Sequence, residues 1–124
     1  MGFDLSITLN FRIDPKTGLP FVWGKDNSRM PYVPSEFEVP EKYRKWVQQR
    51  GHIFHSYIKA LDKYGYSTDV YTFLDTYPDW DEVLKDIGPD DDDCDYWNES
   101  DHDDFREALE WFNEKSCFMV EWSY

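Results

Sequence analysis

Apolar and polar residues alternate at the start of the chain, from residue 3 to residue 13. The apolar positions of this stretch are Phe3, Leu5, Ile7, Leu9, Phe11 and Ile13. Because a strand turns successive side chains to opposite faces, the alternation predicts a strand with one face on a core and the other in solvent. The sequence DPKTG at 14–18 predicts a hairpin turn. The partner strand is expected over 19–23, at the sheet margin, because Pro20 cannot donate a ladder hydrogen bond.

Through most of the remaining chain, apolar residues recur every three or four positions, which predicts helices. The first two helices could instead be one helix bent at Gly51. Ser67, Asp79 and Ser100 are the expected N-caps, and Asp103 completes a capping box with Ser100. The expected helices cover about 40–50, 52–64, 67–77, 79–87 and 100–115. The last helix is expected to bury Phe105, Ala108, Leu109 and Phe112.

The C-terminal residues 118–124 alternate again and predict one more strand. Pairing it beside the first strand makes that N-terminal strand central. The sequence therefore predicts one α+β domain over residues 1–124. Its small antiparallel sheet consists of the N-terminal hairpin and the C-terminal strand, packed against four or five helices.

Composition supports a folded chain in spite of its polarity. Hydrophobic residues make up 40% and aromatic residues 19% of the chain, so the core is expected to be aromatic. No apolar run approaches the roughly 18 residues of a membrane helix, and no signal peptide is recognised. The two cysteines, Cys94 and Cys117, do not form a disulfide framework. These features lead us to expect a cytoplasmic protein, in the host cytoplasm if a phage encodes it.

The negative charge of the chain is regional. Residues 1–66 carry ten Lys and Arg against seven Asp and Glu, whereas residues 67–124 carry three against nineteen. The net charges of the two parts are therefore +3 and −16, within a total of −13. An acidic loop is expected at about 86–104, because Gly88, Pro89 and the crowded Asp residues disfavour regular structure. Such a surface repels nucleic acid and membrane phosphates but attracts basic protein surfaces.

Candidate catalytic and metal-binding groups are few. A calcium loop counted from Asp91 has Tyr96 where glycine is required and His102 where a bidentate Glu is required. His52 and His55 have a spacing that could hold a transition metal, with His102, Cys94 or Asp62 as a third ligand that the fold would have to bring to them. His102, between Asp101 and Asp103, could be an acid/base group, but it is interpreted as an exposed residue of the first helical turn. No nucleophile or phosphate-loop motif is present, so neither an enzyme nor a cofactor is expected.

The acidic region carries the functional expectation. Carboxylates held along a surface can imitate a phosphate backbone, and aromatic rings among them can fill a pocket of a partner. We therefore expect a non-enzymatic module that binds a basic protein, an inhibitor occupying the nucleic-acid-binding surface of a nuclease or defence protein. Direct binding to nucleic acid or to a membrane is not expected. The predicted contact residues are Asp90, Asp91, Asp92, Asp93, Asp95, Tyr96, Trp97, Glu99, Asp101, Asp103, Asp104, Glu107 and Glu110.

In composition alone, the acidic region resembles the anti-CRISPR and anti-restriction inhibitors of phages and the bacterial immunity proteins that neutralise nuclease toxins. That resemblance implies inhibition by occupation of a basic groove. Two alternatives belong to other classes. A metal-dependent enzyme would use His52, His55 and carboxylates, and an assembly subunit would use exposed aromatic residues and form oligomers.

Overall fold

The computed structural model describes residues 4–24, 28–51, 54–64, 66–87 and 97–123 of the chain. The strands are β1 Asp4–Leu9, β2 Phe11–Ile13, β3 Pro20–Trp23, β4 Arg29–Pro31, β5 Gln48–Arg50, β6 Ser67–Asp69 and β7 Phe118–Ser123. The α-helices are α1 His55–Ile58, α2 Val70–Asp75, α3 Trp80–Ile87 and α4 Glu99–Lys115. Short 3-10 helices cover Pro34–Glu36, Glu41–Trp46 and Lys59–Tyr64.

The predicted α+β class is confirmed, but its strands form two antiparallel sheets instead of the single sheet expected from the sequence. The larger sheet has the order β5-β1-β7-β6, so β1 is an inner strand beside the C-terminal strand, as predicted. The smaller sheet has the order β2-β3-β4. The marginal position predicted for the strand containing Pro20 is therefore wrong. Pro20 is tolerated because it is the first residue of β3, where a ladder donor is least needed.

The predicted strand 3–13 is divided at Asn10. The Asn10 backbone N–H donates to the Cys117 carbonyl at 2.8 Å, next to the larger sheet. Its own carbonyl accepts from the Trp23 backbone N–H at 3.0 Å, in the smaller sheet. One residue thus passes the chain from one sheet to the other, and the hairpin belongs to the smaller sheet alone. Phe3 lies outside the described residues.

The hairpin turn is confirmed. The Gly18 backbone N–H donates to the Asp14 carbonyl at 2.8 Å, and Gly18 has φ +71°, a value that glycine adopts without strain. The Asp14 carboxylate accepts from the Lys16 backbone N–H at 2.8 Å and pairs with Arg29. The Lys16 bond, supported by Arg29, holds the pKa of Asp14 below its usual value.

Several predicted helices are shorter than expected. The stretch 40–50 forms a 3-10 helix and then β5, and the stretch 67–77 begins as β6 before it becomes α2. Asp69, rather than Ser67, caps α2 by accepting from the Thr72 backbone N–H at 2.7 Å. Asp79 accepts from the Glu82 backbone N–H at 3.0 Å at the start of α3, as predicted. The start expected at His52 and the stop at 88–89 lie outside the described residues.

The core lies between the helices and one face of the larger sheet. Leu5, Ile7, Val120 and Trp122 point into it from paired positions of β1 and β7. From the opposite side α4 contributes the predicted stripe Phe105, Ala108, Leu109 and Phe112, each 0% exposed. The core is aromatic, as expected, and stacks Trp46 on Phe105 with ring centroids 5.1 Å apart.

Candidate functional site

The start of α4 is fixed by a capping box. The Asp101 backbone N–H donates to Asn98 Oδ1 at 3.1 Å, and the Asn98 backbone N–H donates to Asp101 Oδ2 at 3.0 Å. The predicted pair, Ser100 and Asp103, lies inside the helix instead. Asp101 therefore stabilises the helix end, whereas the carboxylate of Asp103 is left exposed on the surface.

Five exposed carboxylates form a continuous row along α4, on the side opposite its buried residues. Their separations of four, four, three and four residues place them on one face of a helix. With a rise of about 1.5 Å per residue, the row spans roughly 22 Å. We call this row the acidic stripe, and its members are Glu99, Asp103, Glu107, Glu110 and Glu114. Glu114 extends it one turn beyond the predicted contact residues.

Cationic groups lie on both sides of the acidic stripe. Arg106 Nε lies 3.6 Å from Glu110 Oε1, and both side chains are 59% exposed, so this pair contributes little stability. On the other side, Asp104 and Glu107 line a shallow groove together with Lys42 and Lys45.

Glu107 is also tied to the groove wall, since the Tyr43 hydroxyl donates to its Oε1 at 3.1 Å. Lys42 and Lys45 themselves lie over the aromatic rings of Tyr43 and Trp46.

Helix stability does not account for the acidic stripe. Carboxylates at i and i+4, such as Asp103 and Glu107, repel each other and cost about 0.2–0.5 kcal/mol per pair. Glu99 is favourable near the positive N-terminal end of α4, but Glu110 and Glu114 lie toward the negative C-terminal end. The C-terminal half of the stripe thus costs helix stability, which favours a role for it at the surface.

Trp97 was expected to fill a pocket of a partner, and the structure corrects this. It is only 8% exposed, its indole N–H donates to the Tyr57 hydroxyl at 2.9 Å, and its ring packs edge-on against Trp46. Trp97 directly precedes the N-cap Asn98, and an apolar residue at that position folds back onto the helix it precedes. The capping sequence Asn98-x-x-Asp101 indicated this helix start, but it did not indicate the contacts with Tyr57 and Trp46 that bury Trp97.

His102 is likewise buried rather than exposed. Its side chain is 5% exposed, its Nδ1 shares a hydrogen bond with the Tyr57 hydroxyl at 2.8 Å, and the rings of Tyr77 and Trp80 pack against it. The Tyr77 hydroxyl donates to the His102 backbone carbonyl. Burial holds the pKa of His102 below its ordinary value and raises the pKa of Tyr57 and Tyr77. These contacts make His102 a core residue.

The groups proposed for metal or nucleophilic chemistry are not brought together in the described parts of the chain. His52 and Cys94 lie outside the described residues, and His55 is exposed on α1. Within the described ranges, no three His, Cys, Asp or Glu side chains are grouped so that they could hold a metal ion. Cys117 is buried, and burial raises the pKa of its thiol to about 11, so it is protonated at neutral pH.

Much of the predicted acidic loop lies outside the described residues. This applies to Asp90, Asp91, Asp92, Asp93, Asp95 and Tyr96. Their part in binding stays a prediction. Of the other predicted contact residues, Glu99, Asp103, Asp104, Glu107 and Glu110 are exposed on α4.

Comparison of the chain with protein-family models, curated protein sequences and solved structures finds no match. Within the described ranges, every helix is too short or too polar to cross a bilayer. A function is therefore inferred from the chemistry of the described residues.

Proposed function

We propose that this chain is a non-enzymatic binding module whose acidic stripe docks on a basic protein surface. The partner is a nucleic-acid-binding enzyme such as a nuclease or a defence protein, and docking inhibits it by covering its groove. The observation that carries the proposal is the acidic stripe, five exposed carboxylates on a helix whose opposite face is buried in the core. Under this proposal the protein acts in the cytoplasm, where a free thiol such as Cys117 persists.

The spacing of charge on α4 supports imitation of a nucleic-acid strand. At about 1.5 Å per residue, its 17 residues span roughly 25 Å. Counted over all sides of the helix, seven carboxylates give about one per 3.6 Å, close to the value of about 3.4 Å per phosphate along one DNA strand, while the five of the acidic stripe lie about 5.5 Å apart and Asp101 is held in the capping box. The seven are Glu99, Asp101, Asp103, Asp104, Glu107, Glu110 and Glu114.

Rigidity supports the same proposal. The buried face of α4 and the capping box at Asn98 fix the backbone that carries the charges, so docking orders little more than side chains. A preorganised surface loses less entropy on binding than a flexible acidic tail does. The expected result is fast, salt-dependent association with a basic groove.

The proposal is tested with two variants that remove the same charge from different surfaces. The stripe variant carries Asp103→Asn, Glu110→Gln and Glu114→Gln, which leaves the capping residues and the Tyr43 contact of Glu107 unchanged. The control variant carries Glu36→Gln, Glu38→Gln and Glu41→Gln, exposed residues near the short 3-10 helices. Both variants have the same net charge, so only the position of the removed charge differs.

The native chain and each variant are immobilised and used for affinity capture from host lysate. The enzyme that the native chain captures is then purified. We expect the native chain and the control to bind it and inhibit its nucleic-acid processing, with competition from added duplex DNA. The stripe variant should associate on the order of tenfold more slowly at low salt. Equal association and inhibition by the two variants would disprove docking through the acidic stripe.

A further inference from the structure

A cleft of about 470 Å³ lies where the chain passes between the two sheets. Its volume falls within the range of roughly 300–1,000 Å³ that is typical of small-molecule sites. Polar and aromatic side chains from four parts of the fold line it, namely Asn10, Trp23, Asp69, Tyr71, Asn113 and Ser116. None of them belongs to the acidic stripe, so this cleft is independent of the proposed protein-binding surface.

Backbone hydrogen bonds hold the walls of the cleft. Asn10 is bonded through its N–H to Cys117 and through its carbonyl to Trp23, which joins the two sheets at this point. Ser116 ends α4 with φ +66°, and its N–H donates to the Asn113 carbonyl at 3.0 Å. The polar groups at the rim are therefore positioned by the fold.

Asp69 is the charged group of the cleft. Its Oδ1 accepts from the Thr72 backbone N–H at 2.7 Å, which orients the carboxylate. No Lys, Arg or His is among the residues that line the cleft, and no described Lys or Arg forms an ion pair with Asp69. The exposed carboxylate of Asp69 thus gives the edge of the cleft a negative charge that no described Lys or Arg neutralises.

The other residues that line the cleft offer hydrogen-bond acceptors and an apolar surface, which suit a cation that carries a hydrocarbon chain. The side-chain amides of Asn10 and Asn113 form no hydrogen bond with a described residue, so their carbonyl oxygens can accept from a ligand N–H. The floor is apolar, with Val70, Phe112 and Phe118 all buried. Trp23 adds an aromatic ring, whose face attracts cations.

We propose that this cleft binds a small aliphatic ammonium ion. In a diamine, one ammonium group pairs with the Asp69 carboxylate, the hydrocarbon chain covers the apolar floor, and the second ammonium group donates to the amide carbonyls of Asn10 and Asn113. The net charge of −13 favours the approach of a cation and disfavours that of an anion.

The probe is 1,4-diaminobutane, and 1,4-butanediol serves as the neutral ligand of the same length. Both are titrated into the isotopically labelled chain, and the amide and indole NMR signals are followed. We expect the diamine to shift the Trp23 indole signal and the side-chain amide signals of Asn10 and Asn113. The diol should leave these signals in place over the same millimolar range.

Asp69→Asn removes the charge but keeps a good N-cap for α2. Since Asp69 is exposed and an exposed ion pair contributes at most about 1 kcal/mol, we expect diamine affinity to fall severalfold. Asp75→Asn, at the exposed end of the same helix, is the matched control and should bind as the native chain does. If Asp69→Asn fails to fold, Asn113→Ala is used in its place. It leaves the Asp69 cap of α2 intact and should weaken binding severalfold.

Three results would overturn this proposal. Absence of shifts at the lining residues would show that the cleft does not bind the diamine. Equal losses in Asp69→Asn and Asp75→Asn would show attraction by net charge alone. Equal shifts with the diol would show that the cleft does not select a cation.

Discussion

At the scale of single residues, the unusual feature is a polar chain inside an aromatic core. Trp97 donates to Tyr57, which is hydrogen bonded to His102, and Tyr77 donates to the His102 backbone. Buried polar groups are costly unless they are paired, and here each finds its partner on a different element. The network therefore holds the start of α4 against α1 and the segment before α3.

His102 should make stability depend on pH. Burial lowers its folded pKa below the unfolded value of about 6.5, so the unfolded chain binds more protons between these two values. The contribution of His102 is fully present above about pH 6.5 and is lost as the pH falls through the folded pKa. We expect the free energy of unfolding, measured with urea, to decrease from about pH 7 to about pH 5.

Two variants separate this effect from other titrations. His102→Gln should flatten the pH dependence, because glutamine carries no titrating group. His55→Gln, which removes an exposed histidine of α1, is the matched control. An equally steep dependence in His102→Gln would assign the effect to the carboxylates instead.

At the scale of elements, α4 has a strong buried stripe but a start that the sequence left ambiguous. Ser100 and Asp103 have the spacing of a capping box, as do Asn98 and Asp101. The structure selects Asn98, which lets Trp97 fold back into the core. A shift of two residues at the cap thus decides which side chains are buried.

Alanine substitutions distinguish the two caps. Asn98→Ala removes the side chain that accepts from the Asp101 N–H, so we expect the chain to lose about 1 kcal/mol of unfolding free energy. Ser100→Ala, inside the first turn, should be neutral or slightly stabilising, because alanine has the higher helix propensity. Chemical denaturation of both variants measures the difference. The opposite order would place the helix start at Ser100.

The sequence could predict those elements in which a periodic pattern of apolar residues extends over many positions. The alternation of β1 and β7, and the four buried positions from Phe105 to Phe112, specified both elements and their buried faces. The sequence could not predict the three-residue strands, because three positions are too few to show a periodic pattern. Gln48–Arg50 becomes β5 by pairing with Asp4–Ser6, and an ion pair between Arg50 and Asp4 lies at its end.

The division of the N-terminal strand at Asn10 could not be predicted for a related reason. Phe11 and Ile13 continue the alternation of β1 although they lie on another sheet and are exposed. The candidate site was predictable where it depends on charge, since Glu107 and Glu110 are exposed as expected. It was not predictable where it depends on burial, since Trp97 and His102 are buried through contacts with residues distant in sequence.

At the scale of the whole molecule, the charge is strongly unbalanced toward negative. The chain carries 26 Asp and Glu against 13 Lys and Arg. The ion pairs of the described residues have exposed cations, as in Lys59–Asp86 and Arg44–Glu38, and such pairs contribute at most about 1 kcal/mol each. The acidic stripe places five carboxylates on one side of α4, and among the described ion pairs only that of Arg106 with Glu110 involves one of them.

Salt should therefore stabilise the chain. Raising sodium chloride from about 0.01 M to about 0.15 M shortens the Debye length from about 30 Å to about 8 Å, which screens repulsion along the roughly 22 Å acidic stripe. We expect Tm, measured by circular dichroism, to rise by a few degrees, since about 1 kcal/mol corresponds to roughly 4–8 °C in a small domain. The variant Asp103→Asn, Glu110→Gln, Glu114→Gln should start from a higher Tm and gain less. A Tm that falls with salt would mean that the exposed ion pairs outweigh the repulsion, and the charge of α4 would then be balanced within the fold rather than available to a partner.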